Sequence, residues 1–445
     1  MRSRRSVSPA RRRSTIGLLA SLWLASTAAF AAAPAHAQKI GYFVTRYTSA
    51  GAPDPSFGSS GALLGQLSGD PSLVVVRSVG ASPFGDGTIV GAGYFDPSSA
   101  NTTDAGAYRM VIGRFNANGS PDFSFGYAGV TTAHFQGSDR AQAVGFQTSR
   151  TIVVAGTSCC GSSLNDARVF VTRFNWNGAQ DSAFGGSVFS GQAGFAIALR
   201  STSTELAGMV IDARDAIYVV ATFEAGIGLA KFTATGTLDT SFGPSRSGTV
   251  SVAKGSPATV ATGIALDRAG NVVVSGTRRQ APAQGFIVRL TPAGVLDLSF
   301  GSGGTTVIPN ATECHDVAAD ASGNVFAYCN MTNGMVGVQR LNARGQIDST
   351  FARTFAFSGQ QSQSADRLQV ASDGTILLSA DTVAASSAAF GVGVARLTVN
   401  GALDAGFGTR GQTVTTFPGF RPFAFGVARD GSGNALLCGE AAPTQ

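Results

Sequence analysis

Glu313, His315, Asp366, Arg140 and Glu205 are the residues of this 445-residue chain whose types and placement suit chemistry on a bound ligand. A histidine among carboxylates moves protons near neutral pH, and an arginine beside it orients an anionic group. A hydrolase or lyase acting on a polymer would use Glu313, His315 and Asp366 in this way. The rest of the catalytic vocabulary is thin. Beyond residue 37 histidine occurs only at His134 and His315, too few for a zinc site with several His or Cys ligands at suitable spacing. No Gly-x-Ser-x-Gly elbow accompanies either histidine. Asp430-Gly-Ser-Gly-Asn434 reads as a hairpin turn rather than a calcium loop, and Gly301-Ser-Gly-Gly304 lacks the spacing of a dinucleotide loop. No cofactor and no metal is expected, and a binding protein is a better reading than an enzyme.

Hairpins must carry these residues. Apolar runs meet turns at Gly87, Arg150, Asp215, Gly270-Asn271, Gly323, Gly374 and Gly433-Asn434, and Gly and Asn tolerate the positive φ that such turns demand. Aligned on the turns, the first strands place Arg77, Arg140, Glu205, Val260, Glu313, Ser364 and Phe423 at one position. Two residues further stand Val79, Gln142, Ala207, Thr262, His315, Asp366 and Phe425. These are the positions where the copies differ, so a ligand site is expected there.

Between the hairpins runs a second pattern that hardly varies. Arg46, Arg114, Arg173, Lys231, Arg289, Arg340 and Arg396 each end a β-type run and are followed by a Gly, an Asp and a Phe at fixed offsets. Examples are Arg46, Gly51, Asp54, Phe57; Arg173, Gly178, Asp181, Phe184; and Arg289, Gly294, Asp297, Phe300. A period of about 58 residues marks a repeat array. The Phe is expected to plug the space between neighbouring units, with Arg and Asp pairing across the turn or satisfying its backbone. Each unit supplies four short strands, two around the hairpin turn, one ending in Arg and one after the Phe. The expected fold is all-β, a seven-bladed β-propeller of four-stranded antiparallel blades. The chain opens on the Arg-strand half of a unit and ends on the hairpin half. Pairing of N-terminal and C-terminal strands would therefore close the ring and remove exposed sheet edges.

The pattern Val-x-Arg-Phe-x-x-x-Gly-x-x-Asp-x-x-Phe-Gly, as in Val171 to Gly185, resembles the delta-60 repeat of bacterial exported proteins. The hairpin turns resemble those of NHL-type propellers. The delta-60 resemblance covers essentially the whole chain after the leader and implies architecture, with no general activity to carry over. Lys231 and Ala352 depart from the pattern without affecting the fold it implies.

The leader explains the charge. Arg2, Arg4, Arg5, Arg11, Arg12 and Arg13 precede an apolar run from Ile16 to about Ala33 and then Ala35-His36-Ala37, a small-x-small cleavage pattern. Residues 1–37 read as a signal peptide cut after Ala37, and residues 38–445 as the propeller. Arg12-Arg13 resembles a twin-arginine signal, but Ser14-Thr15-Ile16 matches it poorly, so the ordinary secretory route is expected. Removing six arginines lowers the 32 basic residues to 26, equal to the 26 acidic ones. The net +6 therefore belongs to the leader, and a nucleic-acid partner is not expected. No later apolar run reaches the roughly 18 residues of a membrane span.

In the oxidising setting that export implies, Cys314 and Cys329 flank their hairpin turn symmetrically and suit a disulfide, with two buried thiols as the alternative. Cys159-Cys160 lies in a Gly/Ser loop and Cys438 in the last strand. The chain is thus expected to be a secreted or periplasmic monomer, a non-enzymatic binding or scaffold module for a protein, glycan or small molecule. The alternatives are the hydrolase or lyase above and a cell-surface adhesion module.

Overall fold

The computed structural model describes residues 41–444 apart from 66–73, 96–107, 136, 160–166, 186–192, 202–203, 224–225, 253–258, 352 and 388. The leader and Cys160 lie outside the described residues. Every described element is a strand. The chain begins with β1 (Gly41–Tyr47) and β2 (Ala62–Gly65). Blade I follows as β3 (Val74–Ala81), β4 (Ile89–Phe95), β5 (Arg109–Phe115) and β6 (Val130–Ala133). Blade II is β7 (Ser138–Gln147), β8 (Thr151–Cys159), β9 (Ala167–Phe174) and β10 (Phe195–Ser201). Blade III is β11 (Thr204–Ile211), β12 (Ile217–Phe223), β13 (Gly226–Phe232) and β14 (Thr249–Val252). Blade IV is β15 (Thr259–Leu266), β16 (Val272–Arg278), β17 (Gln284–Leu290) and β18 (Thr305–Val307). Blade V is β19 (Ala311–Ala319), β20 (Val325–Met331), β21 (Val336–Leu341) and β22 (Arg353–Phe355). Blade VI is β23 (Gln360–Val370), β24 (Ile376–Ala384), β25 (Phe390–Leu397) and β26 (Gln412–Thr416). The last strands, β27 (Phe420–Arg429) and β28 (Ala435–Pro443), recruit the first two into blade VII, in the order β2-β1-β28-β27.

All seven sheets have four strands and all pairings are antiparallel: the fold is a seven-bladed β-propeller. The innermost strands β3, β7, β11, β15, β19, β23 and β27 pack in succession, and β27 meets β3 to close the ring. The seam is a full ladder, from Gly41 opposite Ala441 to Tyr47 opposite Ala435. Middle strands such as β16 are buried along almost their whole length because a neighbouring blade covers each face. Seven apolar clusters result, one at each interface between blades.

Each interface contains one repeat phenylalanine, buried, and each has a partner glycine in the next blade. A Cβ on Gly119 would strike Phe57, on Gly178 Phe125, on Gly236 Phe184, and so on to Gly51, which sits on Phe407 across the seam. These glycines all have positive φ, between 73° and 88°, so a larger residue is both strained and without room. Backbone bonds repeat the step, as in Gly58 N–H to Asn118 O, 2.9 Å, and Gly408 N–H to Ala50 O, 2.7 Å.

The basic anchors complete the joint. Each of the seven Arg or Lys residues pairs with its Asp at 2.5–2.8 Å. Arg46, Arg114, Arg173 and Arg396 also donate to a carbonyl of the next blade, Ala117, Trp176, Ala234 and Ser49 respectively. The guanidinium lies over the repeat ring as well, for example 4.5 Å from Phe300 for Arg289. The aspartate does both jobs expected of it, taking Arg Nε on one oxygen and the N–H two residues on with the other, as Asp54 does from Arg46 and Ser56.

Two outcomes test this architecture. Deleting residues 421–445 leaves β1 and β2 with no inner strands to pair with; a loss of cooperative melting, or a Tm lower by roughly 10 °C or more, is expected in calorimetry. Unchanged melting would show that the ends do not share a blade. Asp54, Asp122, Asp181, Asp239, Asp297 and Asp348 are held below the usual carboxylate range. Burial opposes ionisation of the first four, and the donors around each outweigh it; in Asp297 and Asp348 the hydroxyls of Ser299 and Thr350 dominate, ahead of the basic partner, and bring Asp348 to about 2. Depressed carboxylates stabilise the fold above their unfolded values and lose that effect as pH falls through the folded ones. Circular dichroism should therefore show acid unfolding between about pH 4 and pH 2, with Asp54→Ala costing about 1–3 kcal/mol at neutral pH because it leaves Arg46 buried without its carboxylate.

Candidate functional site

The antiparallel meander sends the inner hairpin turn and the Arg-to-Phe turn of each blade to one end of the ring, and the connections between second and third strands to the other. All seven hairpin turns carry positive φ at the positions expected from sequence, including Arg150 at 59° and Asp215 at 64°. The repeat thus builds one regular face, and the channel mouth opens on the other, among the connections that vary.

Every inner strand is interrupted near its middle by a β-bulge, and the extra residue is Arg77, Gln142, Ala207, Thr262, His315, Asp366 or Phe425. Six of these are the residues aligned from sequence. Blade I is the correction: Arg77, not Val79, holds the bulge, and Val75 is the counterpart of Arg140. The cause is its hairpin, where Ala81 pairs with Ile89; in blade IV Leu266 pairs with Val272, two residues closer in sequence. Counting back from the turn therefore stops two residues short, at Val79 instead of Arg77.

The residue after each bulge lines the waist of the channel: Ser78, Ala143, Gly208, Gly263, Asp316, Arg367 and Gly426. Five are small, and the neighbouring Asp316 and Arg367 fill the space that they leave. Arg367 Nη1 donates to Thr262 O, 3.0 Å, Nε to Phe425 O, 3.4 Å, and Nη1 lies 3.9 Å from Asp316 Oδ1. One side chain of blade VI thereby touches blades IV and VII and braces the waist. Asp316 accepts the N–H groups of Val317 and Leu368, both at 2.9 Å, and its approach explains Gly263, where a Cβ would stand 2.4 Å from Oδ1. Burial pushes the Asp316 carboxyl up, against the Arg367 charge.

One residue before the bulge, the inner-strand N–H turns to a side chain of the preceding blade. Thr157 accepts from Leu206 at 2.9 Å, Thr222 from Ala261 at 3.1 Å, Thr277 from Cys314 at 3.2 Å, Asn330 from Ala365 at 2.8 Å and Asp381 from Ala424 at 2.8 Å. Sequence reasoning passed over these acceptors. A polar residue at a fixed place after each apolar second-strand run was the available sign.

Above the waist the residues expected at the mouth fall into separate groups. Glu313 and His315 are together, Oε2 to Nε2 3.5 Å, with the Asn330 amide 3.0 Å from the same nitrogen. The His315 hydrogen bond holds the Glu313 carboxyl below its ordinary value. Beneath them Cys314 and Cys329, opposite each other in the ladder, are joined as a disulfide. Glu205 accepts from Gln142 at 2.5 Å, while Arg140 lies over Tyr108, 4.8 Å, and Tyr94, 5.7 Å. Asp366 neighbours Asp381, and no hydrogen bond or ion pair joins it to His315 or Glu313 among the described residues. Arg77 stacks on Phe425 at 4.1 Å, which places the blade I residue missed from sequence beside the seam.

Three of these side chains hold a buried polar atom without a partner among the described residues: Arg140 Nε, Gln142 Oε1 and Asp366 Oδ2. Buried polar atoms in folded proteins are paired with few exceptions, so three on one rim make an unfinished lining. No cluster of three or more His, Cys, Asp or Glu able to hold a metal is present among the described residues.

A family model described as a domain of unknown function (DUF5122) beta-propeller matches residues 85–125, which span β4, β5 and the turn from Arg114 to Phe125. No curated protein matches the chain. Among solved structures, a puromycin hydrolase is 14% identical over 90% of this chain and 56% of its own, with a TM-score of 0.45; this chain thus spans about half of that protein. The WD40 domain of Toxoplasma gondii coronin is 9% identical over 92% of this chain and 88% of its own, TM-score 0.44. Regucalcin of Agrobacterium tumefaciens, a calcium-binding protein, is 10% identical over 68% and 81%, TM-score 0.34. These are likenesses of shape; the ring itself rests on the strand topology above.

Burial pushes the Asp381 carboxyl up to about 7 and raises Asp366 well above the carboxylate range, the Asp381 charge adding to the burial of Asp366. A carboxyl that keeps its proton in the fold but loses it near pH 4 when unfolded makes the fold less stable as pH rises between those values. Stability of the wild type should fall from about pH 4.5 to about pH 7.5 by an amount on the order of a few kcal/mol, and the Asp366→Asn/Asp381→Asn variant should lose much of that slope, keeping the part that the raised Asp316 and Glu440 carboxyls supply. An unchanged slope in the variant would place the titration elsewhere.

Proposed function

We propose that this chain is an exported delta-60-type repeat propeller that binds a ligand in the cup above the Arg367–Asp316 waist and performs no chemistry on it. The observation that carries the reading is the trio of buried atoms without a partner among the described residues, Arg140 Nε, Gln142 Oε1 and Asp366 Oδ2, at the positions where the blades diverge. A ligand that supplies two donors and an acceptor would recover the hydrogen bonds that burial has removed. The rings of Tyr94, Tyr108, Phe423 and Phe425 around them offer apolar contact of the kind that fixes a small ligand or the end of a glycan or peptide. The leader pattern that ends at Ala37 supports secretion or a periplasmic place of work.

Thermal-shift screening of the full chain against oligosaccharides, short peptides and small polar metabolites tests the reading. A ligand at about a hundred times its Kd should add about 2.7 kcal/mol to stability. That gain should disappear in Arg140→Ala/Gln142→Ala. Hits that shift the variant equally would overturn the site, and hydrolysis or elimination of a hit that is lost in His315→Ala would overturn the non-enzymatic part.

A further inference from the structure

We propose that the blade VI–VII side of the mouth is a subsite for a positively charged nitrogen of the ligand, an ammonium or guanidinium group, and that Arg421 is its internal competitor. The inference rests on the reading of the mouth as a binding site and specifies which part of a ligand goes there.

Asp366 on β23 and Asp381 on β24 belong to adjacent strands of one blade, and Glu440 follows on β28. None of the three carboxyls forms an ion pair among the described residues; Asp366 takes a backbone hydrogen bond from Asp381, and Asp381 takes the Ala424 N–H of the next blade at 2.8 Å. Asp366 Oδ2 is buried and has no hydrogen-bond partner among the described residues. The nearby positive charges are engaged elsewhere: Arg367 at the waist with Thr262 O, Phe425 O and Asp316, and Arg77 on the Phe425 ring. A cation of matching size would satisfy the free carboxylate oxygen and relieve the repulsion between neighbouring carboxylates.

A second, independent feature points to the same chemistry. Arg421, an exposed residue near the start of β27, holds its guanidinium 4.6 Å from the centre of the Phe390 ring and 4.8 Å from that of Phe423, and its charge reaches Asp381. The chain's own cation thus rests on aromatic faces at the edge of the acidic pair. Cation–π seats of this kind accept ammonium and guanidinium groups alike. The groups facing the pair from the packed elements are Arg367 on β23, Tyr328 on β20, Arg421 on β27 and Glu440 on β28, and Arg77 on β3 faces Glu440 in turn. With Arg421 displaced, the carboxyls outnumber the cations free to meet them.

Fluorescein-labelled tetra-arginine, followed by anisotropy on the full chain, is the probe, with tetra-glutamine as the neutral control. Tetra-arginine should bind at about pH 8 and weaken at about pH 5.5, where Asp381 takes up its proton. Arg421→Ala should tighten binding about tenfold and Asp366→Asn/Asp381→Asn should weaken it about tenfold, differences of one decade each. The exposed position of Arg421 makes the first variant safe for folding, and a melting curve checks the second. Unaltered or weaker affinity in Arg421→Ala, or unaltered affinity in the double Asn variant with native melting, overturns the subsite. If tetra-arginine fails to bind while an uncharged or anionic hit shows the Arg140-dependent gain, the subsite falls and the binding site stands.

Discussion

A glycine resting on a phenylalanine is the contact on which the ring depends. Phe57, Phe125 and their counterparts fill the interfaces, and each can be covered only where the next blade presents backbone without a side chain, at Gly119, Gly178 and the rest. The contact fixes distance; the Arg–Asp pair and the bond from Arg to the next blade's carbonyl fix angle. Because the seventh interface must satisfy the same geometry as the other six, Gly51 has to meet Phe407, and the ring closes. The spacing of Arg, Gly, Asp and Phe is therefore constrained from both sides of every interface. Lys231, which keeps the ion pair to Asp239 at 2.8 Å, is the largest departure from the basic anchor in the seven copies.

What this joint dictates was legible in the residues, and what it leaves free was not. Phe300 and Asp297 could be placed because seven interfaces ask for the same residue types at the same offsets. The symmetric flanking of one turn by Cys314 and Cys329 placed them opposite each other, where the ladder has them. Blade I of the mouth was misread by two positions, because the hairpin of Ala81 and Ile89 is longer and nothing in its composition announces a bulge at Arg77. The acceptors do one job, but any oxygen-bearing side chain serves, so threonine at Thr157, Thr222 and Thr277 gives way to Asn330 and Asp381 in the later blades and no single residue type marks the position. Asp316 and Arg367 were invisible for a further reason: they meet only because bulges in neighbouring strands turn both toward the axis.

The two faces of the ring thus obey different constraints. On the repeat face each turn is answered by its neighbour, and few positions are free to vary. At the mouth each blade presents one bulge residue, and the identities run from Ala207 to Arg77. Carboxyls gather on blades VI and VII, next to the blade I tyrosines that lie under Arg140, so the rim is uneven in charge around the ring. Sevenfold architecture leaves this rim free to be asymmetric because the repeated Phe–Gly and Arg–Asp contacts lie at the opposite end of the ring.

The seam in blade VII has a mechanical side. Gly41 lies opposite Ala441 at one end of the β1–β28 ladder, so the chain leaves that pair in both directions from the same edge of the sheet. Tension applied between the two ends would load the rungs one after another, as in a zipper, and not together in shear. Heat must disrupt a whole blade interface to open the ring, whereas a pull need break only the outermost pair at a time. A propeller held shut in this way resists warming better than it resists being stretched.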